Sequence, residues 1–91
     1  MDKITKEKLE RYRELTDNAL IIAKKSVSKK KKEANEIINM AENYLSDAKY
    51  FEKNKDFVSA FAAINYAHGW LDSGARLGIF NVKDDKLFTI K

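Results

Sequence analysis

From Leu9 onward, apolar side chains return every three or four residues: Leu9, Tyr12, Leu15, Ala19, Ile22 and Ala23. That spacing keeps them on one face of a helix and predicts one over residues 5–27. Thr5 suits its N-cap, Glu7 complements the positive end of the helix dipole, and Lys24 and Lys25 complement the negative end. A second stripe, Ala34, Ile37, Ala41, Tyr44, Ala48 and Phe51, is widened by Ile38 and Leu45. It predicts a helix over residues 28–53 that starts near Ser28 and stops at Asn54, a residue that tolerates the left-handed conformation. A third stripe, Phe57, Phe61, Ile64, His68, Leu71 and Ala75, predicts a helix over residues 56–77, capped by Asp56 and ended by Gly78.

Short joints between these segments place sequential helices antiparallel. The expected architecture is all-α: one domain over residues 1–91, folded as an up-down-up three-helix bundle. The absence of proline, and the confinement of all three glycines to positions 69–78, agree with long helices. Residues 79–91 break the helical period. Asp84-Asp85 suits a turn and Leu87–Ile90 an extended segment. Ile79, Phe80, Leu87, Phe88 and Ile90 are too much apolar surface for a solvated tail, so the tail is expected to pack on the bundle or on a second subunit.

Composition then narrows the chemistry. A 91-residue chain that is 44% hydrophobic and 35% charged has the material for one core and a wet surface. The absence of cysteine excludes disulfides and thiolate metal sites, and the single His68 cannot build a zinc site alone; no metal and no cofactor are expected. No apolar run approaches the roughly 18 residues needed to cross a bilayer, and the first ten residues lack an apolar leader core. The expectation is a cytoplasmic protein without membrane association.

Two clusters stand out. Lys24, Lys25, Lys29, Lys30, Lys31 and Lys32 concentrate +6 in one joint, so that the rest of a chain of net charge +4 carries −2. Such a patch suits phosphates of a nucleic acid or another anion; it equally suits a solvated joint, and no arginine or aromatic residue is interleaved to stack on bases. On the third helix, Asn65, His68, Asp72 and Arg76 fall within about 80 degrees of one another, opposite a broad apolar face that includes Trp70, Gly74 and Leu77. The stripe reads either as a site for an anion or a partner carboxylate, or as an Asp72–Arg76 ion pair beside a His68 that caps the core edge. Glycine inside a helix costs ~1 kcal/mol against alanine, so Gly69 and Gly74 each need a reason. Gly74 faces the core and is expected to admit a close helix. Gly69 lies beside the polar stripe and is expected to be approached by the tail, a second subunit or a ligand. No serine or cysteine nucleophile lies beside a base, and no second histidine exists, so catalysis is not expected.

The stretch Ala63–Phe80, AINYAHGWLDSGARLGIF, and the closing LFTIK resemble a family of small uncharacterised archaeal proteins, domain of unknown function 357 (DUF357). The resemblance extends over essentially the whole chain. It implies a three-helix fold and an archaeal, cytoplasmic origin, and it brings no activity with it. Helical nucleases and nucleotide-binding domains with an Arg-x-x-x-x-His motif are dissimilar, because here His68 precedes Arg76. The functional expectation is a non-enzymatic interaction or scaffold module with a protein partner or a second copy. Nucleic-acid or anion binding through Lys24–Lys32 comes next, and a small phosphate-handling enzyme last.

Overall fold

The computed structural model describes residues 3–88 and contains α1 (Lys6–Lys25), α2 (Lys31–Lys53) and α3 (Phe57–Arg76). Thr5 caps α1 as expected, its hydroxyl accepting from the Lys8 backbone N–H at 3.1 Å. The inward stripe of α1 differs from expectation at one position: Thr16 is 2% exposed, whereas Leu15 is 39% exposed. Leu9, Tyr12, Thr16, Ala19 and Ala23 are the residues that step by three and four toward the core.

Ser28 does not start α2, which begins three residues later, at Lys31. The reason lies in the tail. Val27 and Phe80 form an isolated antiparallel bridge, the Ser28 N–H donates to the Ile79 carbonyl at 2.9 Å, and the Asn81 N–H donates to the Ser26 carbonyl at 2.7 Å. These contacts hold residues 26–28 alongside the tail, and α2 opens beyond them. Lys30 is left at the N-cap, with no side-chain hydrogen bond to the exposed N–H groups of the first turn.

At the other end of α2 the left-handed residue is Lys55, with φ 62°, and not Asn54, with φ −89°. Asp56 N–H donates to Phe51 and Lys55 N–H to Glu52, at 2.8 and 2.9 Å, the paired bonds of a Schellman closure. Asp56 then caps α3 by accepting from the Ser59 N–H at 3.1 Å. The same closure recurs at the end of α3, where Gly78 takes φ 75° while Gly78 and Ile79 N–H groups donate to Ala75 and Gly74. There glycine meets the conformational demand without a steric cost.

The three helices pack side by side with α3 as the shared partner. Ion pairs Arg13–Glu52 and Lys24–Glu42 set α1 antiparallel to α2. The edge-to-face pair Tyr12–Phe61, centroids 5.1 Å apart, and the Val27–Phe80 bridge set α1 parallel to α3. Alanines fill much of the core: Ala19, Ala23, Ala34, Ala41, Ala48, Ala60 and Ala67 are fully buried, and their small side chains let the helices approach closely around Leu9, Ile64 and Leu71.

The tail returns against its own bundle, with Ile79, Phe80 and Phe88 buried and Val82 and Leu87 partly so. Burying a side chain of that size contributes ~1.5–3 kcal/mol. Gly74 admits not a helix backbone but the Phe80 ring: a Cβ there would lie within 2.6 Å of Phe80 Cδ2 and 3.3 Å of Ile37 Cδ1. Asp84 does form a turn, its carboxylate accepting from Lys86 and Leu87 N–H and its carbonyl from Phe88 N–H. Leu87 therefore belongs to that turn and not to an extended segment, and Ile90 lies outside the described residues.

Candidate functional site

Residues of the predicted stripe converge where α1, α3 and the tail meet. Asn65, His68, Gly69 and Asp72 line a cleft of about 300 Å³ together with Tyr12, Leu15, Thr16 and Lys86. Arg76 is not part of it; it is exposed in the last turn of α3, close in sequence to the Ile79–Ser28 contact. At 3.7 Å, Asp72 approaches His68 Nε2. That contact joins neighbours one helical turn apart and is an ion pair only when the imidazole is charged.

His68 is held at both ring nitrogens. Nε2 lies 2.7 Å from the Leu87 carbonyl and Nδ1 lies 2.9 Å from the Thr16 hydroxyl. A carbonyl only accepts, so Nε2 carries the proton; in the neutral ring Nδ1 accepts and the Thr16 hydroxyl donates. One imidazole thereby ties α1, α3 and the tail together. Both ring nitrogens are thus engaged inside the chain, and His68, Thr16 and Asp72 all line the cleft.

Gly69 behaves differently from its neighbours. Among the described residues nothing lies within 4 Å of where its Cβ would be, so the close approach expected there is not made by the tail through Phe88. Gly69 also borders a second, wider depression of about 430 Å³, together with Ile37, Asn65, Tyr66, Trp70 and Leu77. Trp70 and Leu77, expected in the core-facing set, are 37% and 72% exposed here, and Tyr66 is 62% exposed. Tyr66 is steadied by stacking on Tyr44 of α2, with centroids 5.3 Å apart.

The sequence carried a signal for this face that helical periodicity overlooked. Residues 57–71 contain no Asp, Glu, Lys or Arg, whereas every other uncharged run in the chain is six residues or shorter. The outward side chains of that run, Val58, Ala62, Asn65, Tyr66, Gly69 and Trp70, are all exposed. The outward face of α3 is thus free of charge over residues 57–71 on a chain that is 35% charged.

The six joint lysines are all exposed, and of these Lys24 pairs with Glu42 at 2.6 Å. Lys29, Lys30, Lys31 and Lys32 lie at the uncapped start of α2, whose N–H groups and positive dipole end add to their field. Among the described residues, no group of three or more His, Cys, Asp or Glu side chains could hold a metal ion, and no helix is long and apolar enough to cross a membrane.

Fold and site together define a class: an all-α, three-helix domain whose C-terminal segment is strapped to the bundle through a buried phenylalanine and a bridging histidine. Within that class the chain belongs to the family described as Protein of unknown function (DUF357), whose model matches residues 11–80. The match spans most of the three helices and ends at Phe80, the residue that fills the Gly74 notch. No curated protein and no solved structure matches the chain.

Proposed function

We propose that this domain is a non-enzymatic protein-interaction module that docks its partner on the outward face of α3. The carrying observation is the exposure of Tyr66, Trp70 and Leu77 around the open Gly69, on a helix without formal charge from Phe57 to Leu71. Tyrosine and tryptophan anchors beside an apolar depression are the features that concentrate binding energy at protein interfaces. The inward residues of the stripe serve the fold and not the partner, since His68 and Thr16 satisfy each other. A cytoplasmic setting, suited to a chain without cysteine, and the archaeal source implied by the sequence resemblance belong to the same reading.

The test is affinity capture from the source organism with the wild type, Gly69→Arg and Lys29–Lys32→Ser as parallel baits. A specific partner lost with Gly69→Arg and kept by the lysine variant supports the reading. A partner retained by Gly69→Arg contradicts it.

A second reading has its own observation. Exposed lysines crowd the uncapped N-terminus of α2, an arrangement suited to phosphate groups. It would give weak, sequence-independent nucleic-acid binding. Affinity for a labelled single-stranded RNA should then fall steeply with salt and disappear when Lys29–Lys32 become serine; binding that survives the change removes the patch as its cause.

A further inference from the structure

We propose that the occupant of the outward α3 face is a second copy of this chain, paired antiparallel across a two-fold axis between Tyr66 and Gly69. The proposal rests on the reading of that face as a docking surface and adds the partner and its orientation. Ser59, Ala62, Tyr66, Gly69, Ser73 and Arg76 follow one another at intervals of three, four, three, four and three, the spacing of a helix–helix seam. Apart from the half-buried Ser59, all are exposed.

In antiparallel register the seam is self-complementary. The bulky Tyr66 of each copy falls on the open Gly69 of the other, and Ala62 falls on Ser73. Gly69 thereby gains an explanation that the described residues do not supply: none of them comes within 4 Å of a Cβ built there, although glycine costs the helix ~1 kcal/mol. The same register places Arg76, the only charged side chain in the seam, opposite Ser59 of the second copy. It then stands about one helical turn, ~5 Å, from the exposed Asp56 carboxylate at the start of the facing helix. The one cation and the N-cap carboxylate sit at opposite ends of α3, so only an antiparallel pair brings them together, once at each end.

Long-range charge favours the same orientation. Each copy carries +4 overall, and the acid-free lysine run Lys24–Lys32 lies at the end where α1 finishes and α2 begins, whereas Lys6, Lys8, Lys49, Lys53 and Lys55 toward the other end are interspersed with Glu7, Glu10, Glu52 and Asp56. Parallel packing would set the two lysine clusters side by side. Antiparallel packing separates them by about the length of α3, ~30 Å for 20 residues, well beyond the ~8 Å Debye length at physiological salt.

The absence of native cysteine permits a direct test. Sedimentation equilibrium of the wild-type chain should give twice the 10.5 kDa monomer mass, and Gly69→Arg, which meets open space in its own chain, should give the monomer with unchanged circular dichroism. Under mild oxidation the double variant Ala62→Cys/Ser73→Cys should form a covalent dimer, as should an equimolar mixture of the two single variants. Either single variant alone should not, because positions 62 and 73 lie about 16 Å apart along one helix, and like positions lie as far apart in the dimer. A monomeric wild type overturns the second-copy assignment and leaves a different protein partner to be judged by the capture experiment. A dimer that survives Gly69→Arg, or that cross-links through single cysteines, overturns the antiparallel seam; survival of Gly69→Arg also removes the α3 face as its docking surface.

Discussion

Gly74 and Gly69 sit five residues apart on the same helix, and their surroundings are opposites. At Gly74 an added Cβ would strike the Phe80 ring and crowd Ile37; at Gly69 it would meet none of the described residues. The first glycine is required by the chain's own packing, because the tail must place a 1%-exposed phenylalanine against the α3 backbone. The second has no such requirement among the described residues. The inward side of α3 is packed by the protein itself, whereas the outward side carries the exposed Tyr66, Trp70 and Leu77.

The strongest way to break this comparison is to damage the inward side. Ala48 of α2 is fully buried, and Ala48→Asp would leave a carboxylate there without a partner, a change that should unfold the domain outright. Phe80→Ala should cost about 3–5 kcal/mol, since it empties the notch above Gly74, and Phe88→Ala should cost about 3 kcal/mol through the same loss of buried area. Urea unfolding midpoints check both; a near-native midpoint for Phe80→Ala would mean that the tail is not part of the core. Thr16→Val removes the donor to His68 Nδ1 and should cost about 1–3 kcal/mol, the range for orphaning a buried polar group. On the outward side, Tyr66→Ser should cost the monomer only about 0.5–1.5 kcal/mol, the worth of its stacking on Tyr44.

The α3 cap gives a smaller effect with a defined pH signature. The Ser59 hydroxyl, and then the Ser59 backbone N–H, hold the Asp56 carboxyl below its ordinary value. A carboxyl lowered in the folded state adds stability above its unfolded value and loses that contribution as pH falls through the folded one. Asp56→Ala should therefore melt below the wild type at neutral pH, with the gap closing in the acid range where the carboxylate is protonated. A gap that persists unchanged at low pH would assign the effect to something other than the charge.

These contrasts also explain which features could be read from the amino acids. Element number, order and most boundaries follow from local periodicity and caps, as Thr5, Asp56 and Gly78 illustrate. The late start of α2 could not be read in this way, because Ser28 is a good N-cap whose backbone is claimed by Ile79, a residue 51 positions away. The left-handed Lys55 was hidden for a related reason. Asn54 is the more permissive residue, but the Schellman hydrogen bonds select the position one step later. The exchange of Leu15 for Thr16 on the inward face reflects His68, which needs a hydroxyl beside it and receives one only if α1 is rotated toward that side. For the outward face of α3, hydropathy misled: Trp70 and Leu77 look like core residues but are exposed, and the missing charge between Phe57 and Leu71 is the sequence feature that coincides with that face.

The central claim, that α3 is complete on one side and open on the other, is tested most directly by measuring the unfolding free energies of Gly74→Ala and Gly69→Ala side by side, at concentrations low enough to keep the chain monomeric. Gly69→Ala should stabilise the monomer by about 0.5–1 kcal/mol, because alanine is the better helix former and its methyl group meets open space. Gly74→Ala should destabilise it by about 1–2 kcal/mol, because overpacking against Phe80 outweighs the same helical gain. Two changes of the same sign would contradict the account, most sharply if both variants were stabilised, since the Phe80 ring would then not occupy the space at Gly74.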